Sequence, residues 1–154
     1  MSDGRDGIQV DESAWPRVVL RWPAGIRSDR EVAAALDTLR GIGRRGEEHT
    51  LLVDARGAQA PTSIQLGLIL DLMRRVGPSA RCLAIAVATR SACVRACVDS
   101  VRWMHLTPSR WSHFDEVAPA GEWLDECFAS ASRSALLGAR AGERRSASTP
   151  PPVA

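Results

Sequence analysis

The sequence contains no lysine: all 20 of its basic residues are arginine. Set against 18 acidic residues they leave a net charge of +2, too weak a field to steer the chain towards nucleic acid or an anionic lipid surface. Codon composition accounts for the arginine bias without invoking selection for phosphate recognition. Long apolar runs are missing as well. The longest, Cys82 to Ala88, falls far short of the ~20 residues that a bilayer-crossing helix needs, so no membrane insertion is expected. The opening Met-Ser-Asp-Gly-Arg-Asp-Gly has charges but no apolar run after them, which is not a secretory signal, and a cytoplasmic protein is expected.

Signatures of catalysis and metal binding are also lacking. There is no Gly-x-Ser-x-Gly elbow and no Walker loop. Cys127 and Arg133 stand at the spacing of a phosphatase phosphate loop, but the intervening Phe-Ala-Ser-Ala-Ser has no glycine and no strand precedes it. An amphipathic helix cannot turn its N–H groups inward around an anion as such a loop must. Cys93, Cys97, His105 and His113 form neither a Cys-x-x-Cys knuckle nor a paired-histidine motif, and core packing is the expected role. No catalytic residue, metal or cofactor is expected, and the four cysteines are expected to be reduced and mostly buried.

What is present is an ordinary globular composition, 45% hydrophobic and 25% charged over 154 residues. A chain of that size forms one domain and buries roughly two thirds of its unfolded surface without help from disulfides. Ile8-Gln-Val-Asp and Arg17-Val-Val-Leu-Arg-Trp22, joined across Glu12 to Pro16, predict an antiparallel hairpin. Ser28-Asp-Arg-Glu31 is a capping-box pattern, and the helix it opens carries Val32, Leu36 and Leu39 on one stripe, with Gly41, Gly43 and Gly46 ending it. Thr50 to Asp54 is apolar without alternation, as suits a central strand covered on both faces. A second helix follows, with Ile69, Leu72, Met73 and Val76 on its stripe, stopping at Gly77-Pro78.

In the next strand, Cys82 to Ala88, large Leu83, Ile85 and Val87 alternate with small Cys82, Ala84, Ala86 and Ala88. One face therefore fills a thick layer while the other admits close approach. A third helix with Val94, Val98 and Val101, a weak strand around Trp111 to Asp115, and a last helix opening near Ala118 complete the order. The prediction is an α/β fold, β-β-α-β-α-β-α-(β)-α, with a mixed, mostly parallel sheet of about five strands and an N-terminal antiparallel hairpin. Residues 1–7 are expected to be flexible, 8–137 to form the domain and 138–154 to be a disordered tail.

The string Leu51-Leu-Val-Asp-Ala-Arg-Gly, with Val94-Arg95 in the third helix and Glu122-Trp123-Leu124 in the last, resembles bacterial STAS domains (sulfate transporter and anti-sigma-factor antagonist). The likeness covers roughly residues 8 to 130 and rests mostly on strand patterns. It implies a non-enzymatic signalling module that binds partner proteins and is often regulated by phosphorylation of a serine opening the helix after the third strand. The family motif there is Asp-Ser-Ser-Gly. With the comparison anchored on Asp54, Ser63 falls on the first serine, Ile64 on the serine normally phosphorylated and Gln65 on the glycine. The resemblance thus implies a regulatory interaction module without the usual serine phosphoswitch. Related sheets in CRAL-TRIO proteins carry lipid, so by analogy of fold a carrier of a small apolar ligand is the alternative.

Candidate partner-binding residues gather where strands end and helices begin. Thr62 and Ser63 follow Pro61 at a helix start, where a hydroxyl caps the helix; Ser63 is also a possible phosphoacceptor, since phosphate there would meet unpaired N–H groups. Asp54 and Arg56 flank the preceding loop, able to pair with each other or to be read by a partner's charges. Arg90 and Arg95 occupy the equivalent end of the fourth strand, beside a helix N-terminus that could hold an anion. Of the five tryptophans, Trp103 and Trp111, with Met104, are candidates for an exposed apolar patch. Arg95 and Arg102 alone, with no aromatic platform, do not make a nucleic-acid interface.

Overall fold

A computed structural model describes residues 7–77, 79–104 and 108–146, with side chains to Arg140. Its elements run β1 (Gln9–Asp11), β2 (Arg17–Arg21), α1 (Asp29–Arg44), β3 (His49–Asp54), α2 (Ser63–Val76), β4 (Cys82–Ala88), α3 (Ala92–Met104), β5 (Arg110–Phe114) and α4 (Val117–Ser146). The strands lie side by side in sequence order. β1 pairs antiparallel with β2, and β2, β3, β4 and β5 are parallel neighbours. The architecture is the mixed α/β sheet that the pattern of the sequence predicts.

Sequential order has a consequence for layering. Each crossover from β2 to β5 steps in the same direction, and parallel crossovers share one hand, so α1, α2 and α3 lie on one face. The other face is left to α4, which packs on β3, β4 and β5. The strands divide their side chains accordingly. Leu52, Ala84 and Ala86 meet Ala120, Leu124 and Cys127 of α4, whereas Leu51, Val53, Ile85 and Val87 cluster with Val94 of α3. The alanines of β4 do admit the close approach expected of them. Cys82 does not share their face: register passes from His49↔Cys82 to Thr50↔Ala84, so Leu83 is an extra residue in the ladder. Such a bulge reverses the facing of what precedes it, and Cys82 joins the Ile85 cluster.

Two boundaries differ from expectation. Gly41 and Gly43 lie inside α1, which runs on to Arg44, and the left-handed turn that follows it falls at Gly46, with φ 67°. Gly43 is retained by packing: a Cβ there would stand 2.5 Å from Val76 Cγ1 of α2. At the other end, the disordered tail expected from Gly138 is helical as far as Ser146. Its alanines, arginines and glutamate favour helix strongly enough to carry it past Gly138 and Gly142. Residues 147–154, like 1–6, lie outside the described residues. Among the described residues, no helix is long and apolar enough to cross a membrane.

Candidate functional site

Parallel strands deliver their last residues to a common edge, and the helices that follow begin there. Arg21, Asp54, Ala88 and Phe114 close β2 to β5, and the starts of α1, α2 and α3 stand beside them. Each start is capped locally. Ser28 Oγ accepts from Glu31 N at 3.2 Å while Glu31 returns a carboxylate to Ser28 N at 3.0 Å. Thr62 Oγ1 accepts from Gln65 N at 3.2 Å, and Gln65 Oε1 accepts from Thr62 N at 3.2 Å. Ser91 Oγ accepts from Val94 N at 3.3 Å. Thr62 is therefore the helix cap, and Ser63 is the exposed first residue of α2.

From Asp54 to Ser63 every residue but Ala55 is exposed or half-buried. The loop is held rather than loose: Ala58 bridges to Gly25 in the preceding corner, and Gly57 approaches so closely that a Cβ would lie 3.2 Å from Ala24 Cβ. Gly25 makes this possible by adopting φ 89°, a region costly for other residues.

Asp54, Arg56 and Arg90 come together here around a shallow depression of about 390 Å³, bounded also by Pro23, Gly57 and Glu116. Arg56 grips Asp54 with both arms of its fork, Nε to Oδ1 at 2.9 Å and Nη2 to Oδ2 at 3.0 Å. Its third nitrogen donates to Glu116 Oε2 at 3.3 Å, and Arg90 donates to the other oxygen of Glu116. Hydrogen bonding by Arg56 holds the Asp54 carboxyl below its ordinary pKa against a smaller opposing effect of burial, and Asp54 in turn raises that of Arg56. Two cations and two anions thus cancel around the depression. It can offer matched charges to a protein surface, but it is not built as an anion cradle.

Arg95 stands apart from the depression. Its guanidinium donates to Thr89 O at 2.9 Å and to the Asp115 carboxylate, tying α3 to both neighbouring strand ends. Thr62 and Ser63 are drawn the other way, towards α1: Gln65 Nε2 donates to Arg27 O at 2.8 Å and to Asp29 Oδ1 at 3.1 Å. Buried Gln65 thereby ties the start of α2 to the start of α1, where Ile64 and Ile26 have 63% and 82% of their surfaces exposed.

Sequence reasoning misses Glu116, Gln65 and this isoleucine pair. Glu116 stands two residues past the end of β5, as Arg90 does past β4, and it is overlooked because β5 has the weakest strand pattern. Trp103 and Met104 are exposed as anticipated, whereas Trp111 is half-buried. The cysteines are less uniform than expected: Cys127 is buried, Cys82 and Cys97 are partly so, and Cys93 is exposed because it sits off the Val94–Val98–Val101 stripe. His113 Nε2 lies 2.9 Å from Asp99 Oδ1, and His105 is outside the described residues. Among the described residues, no three of the side chains that bind metals converge on one point.

Beneath the same helices lies a second, different space. A cavity of about 200 Å³ separates β2, β3 and β4 from α1, α2 and α3, walled by residues such as Leu20, Leu51, Val53, Ile69, Met73 and Val98. No family model and no curated protein matches this chain.

Proposed function

We propose that the chain is a non-catalytic, cytoplasmic regulatory module that works by binding another protein at the corner formed by the β3–α2 loop and its neighbours. Asp54, Arg56 and Arg90 supply the ionic part of that surface, and Thr62 and Ser63 its flank; Arg95 keeps α3 in place behind it. The observation that carries the reading is the exposure of Ile26 and Ile64, at the helix starts on the same carboxyl edge of the sheet as the charge-balanced depression. Large apolar side chains set next to polar groups are what a protein contact uses: the former anchor, the latter fix orientation. A resemblance to STAS domains agrees with this use of the corner. Ile64 at the position of the usual phosphoserine suits a constitutive contact, while exposed Ser63 keeps a hydroxyl where phosphate would be stabilised by the helix start.

The test is quantitative affinity purification from the native host with the full chain, Ile26→Asp, Ile64→Asp and the remote control Arg133→Ala. A protein retained by the wild type and by R133A, and reduced at least tenfold by each isoleucine variant, is the expected result. Recovery that is equal across all four overturns the proposal. Ser63→Glu is expected to weaken the same contact, because it adds charge beside the apolar pair.

A further inference from the structure

Protein interiors leave few voids larger than a water molecule, so a 200 Å³ space at the centre of the α/β layer calls for an occupant. Its position is unusual for this kind of sheet. β3 is the middle strand, and α4 buries Leu52 on one face of it, yet Leu51 and Val53 on the other face are only half-buried. The reason is uneven spacing of the covering helices. α1 packs along α2, with Val32 and Leu36 against Leu72 and Val76, whereas α2 and α3 touch at few points. The seam between them opens over β3 and β4. Leu66, Ile69 and Met73 of α2 and Val98 of α3 line the cavity while remaining partly exposed, so the space reaches the surface along that seam.

The chemistry of the walls defines what fits. Among the described residues, no aspartate, glutamate or arginine lines the cavity. The two most polar side chains in its wall are already engaged locally: His49 Nδ1 lies 2.9 Å from Glu47 O, and Ser109 Oγ donates to Cys82 O at 2.5 Å. Water would find too few partners to be held there, since an internal water needs two to four. A charged ligand group would lose its hydration with nothing to replace it. For scale, a cavity of about 150 Å³ lined by leucine, isoleucine and phenylalanine stays dry and accepts benzene.

We propose that this cavity is a binding site for an uncharged, hydrocarbon-like small molecule of roughly eight non-hydrogen atoms, by proportion with that benzene site, entering between α2 and α3. Occupancy completes the cover over Leu51 and Val53 that the helices leave unfinished. The site is separate from the ionic corner, and either can fail without the other.

The test uses the full chain with ethylbenzene as the probe and phenylacetate as its charged counterpart. Calorimetry is expected to give saturable binding of one ethylbenzene per chain, at least tenfold tighter than phenylacetate. Methyl resonances of Leu51, Val53 and Ile85 shift on titration, while those of Leu124, on the opposite face of the sheet, do not. Val98→Phe, which adds bulk to the seam, loses at least tenfold in affinity, and R56A, at the corner, binds as the wild type does. Absence of saturable binding, equal affinity for phenylacetate, or shifts centred on Leu124 or Trp103 overturns the proposal. Should V98F fail to fold by circular dichroism, the wild-type methyl map decides alone.

Discussion

At the scale of single residues, environment separates groups that share a chemistry. Asp54 and Arg56 form a bidentate pair at a partly exposed edge, where solvent and salt screen the attraction, so the pair contributes about 0–1 kcal/mol to stability. Its sign with pH follows from the depressed Asp54 carboxyl. A folded-state pKa below the unfolded one contributes stability above the unfolded value, and that contribution disappears as pH falls through the folded value. Asp54→Asn is therefore expected to be slightly destabilising in urea at pH 7, with a deficit that shrinks as pH falls below the ordinary aspartate value of about 3.9; a deficit that stays the same size on acidification would show that ionisation is not its source. The cysteines differ in the same way. Burial pushes the Cys82 thiol up to about 12, leaving almost no thiolate at neutral pH, whereas Cys93 is open to solvent. Peptide mapping after brief alkylation at pH 8 is expected to find Cys93 modified and Cys82 intact; the reverse order would contradict the packing described for β4.

At the scale of elements, the local chemistry of helix starts was the most legible part of the sequence, and close approach between elements the least. Ser28-x-x-Glu31 announces its capping box because donor and acceptor are both local. Glycine is ambiguous in a way that sequence cannot resolve, because the same residue ends helices and lets them touch. Gly41 and Gly43 show both the ambiguity and its cost. Gly41 sits on the exposed side of α1 with nothing within 4 Å of a would-be Cβ, while at Gly43 that atom would meet Val76 Cγ1 at 2.5 Å and Ala80 Cβ at 3.3 Å. Gly41→Ala is expected to stabilise by about 0.5–1 kcal/mol through helix propensity. Gly43→Ala is expected to destabilise by about 1–3 kcal/mol through overpacking. Urea unfolding of the two variants in parallel tests this opposition, and a gain at both positions would mean that α1 and α2 are not in contact there. The bulge at Leu83 was hidden for a similar reason: alternation reads facing correctly only while the ladder keeps step.

At the scale of the whole molecule, sequential strand order puts three helices on one face and asks a single helix to cover the other. The order of elements and the position of the ionic corner were largely readable, since strand ends and helix starts are written in adjacent residues. The 200 Å³ cavity was not, because it arises from the distance between α2 and α3 and from no residue pattern. The length of α4 is hard to read for yet another reason: from Arg133 to Arg140 it is helical with no buried side chain. Leu124, fully buried against the sheet, marks where α4 contributes to the fold, but from Arg133 to Arg140 every residue is exposed, Leu136 and Leu137 included. If tertiary contacts alone set stability, the two halves must respond differently to change. Leu124→Ala is expected to cost about 2–5 kcal/mol, as deletion of a buried leucine side chain does. Removal of residues 134–154 is expected to shift unfolding by less than about 0.5 kcal/mol while lowering helical ellipticity at 222 nm. A large loss of stability on truncation would mean that the exposed half of α4 is covered in solution, with Leu136 and Leu137 as the side chains through which that cover is held.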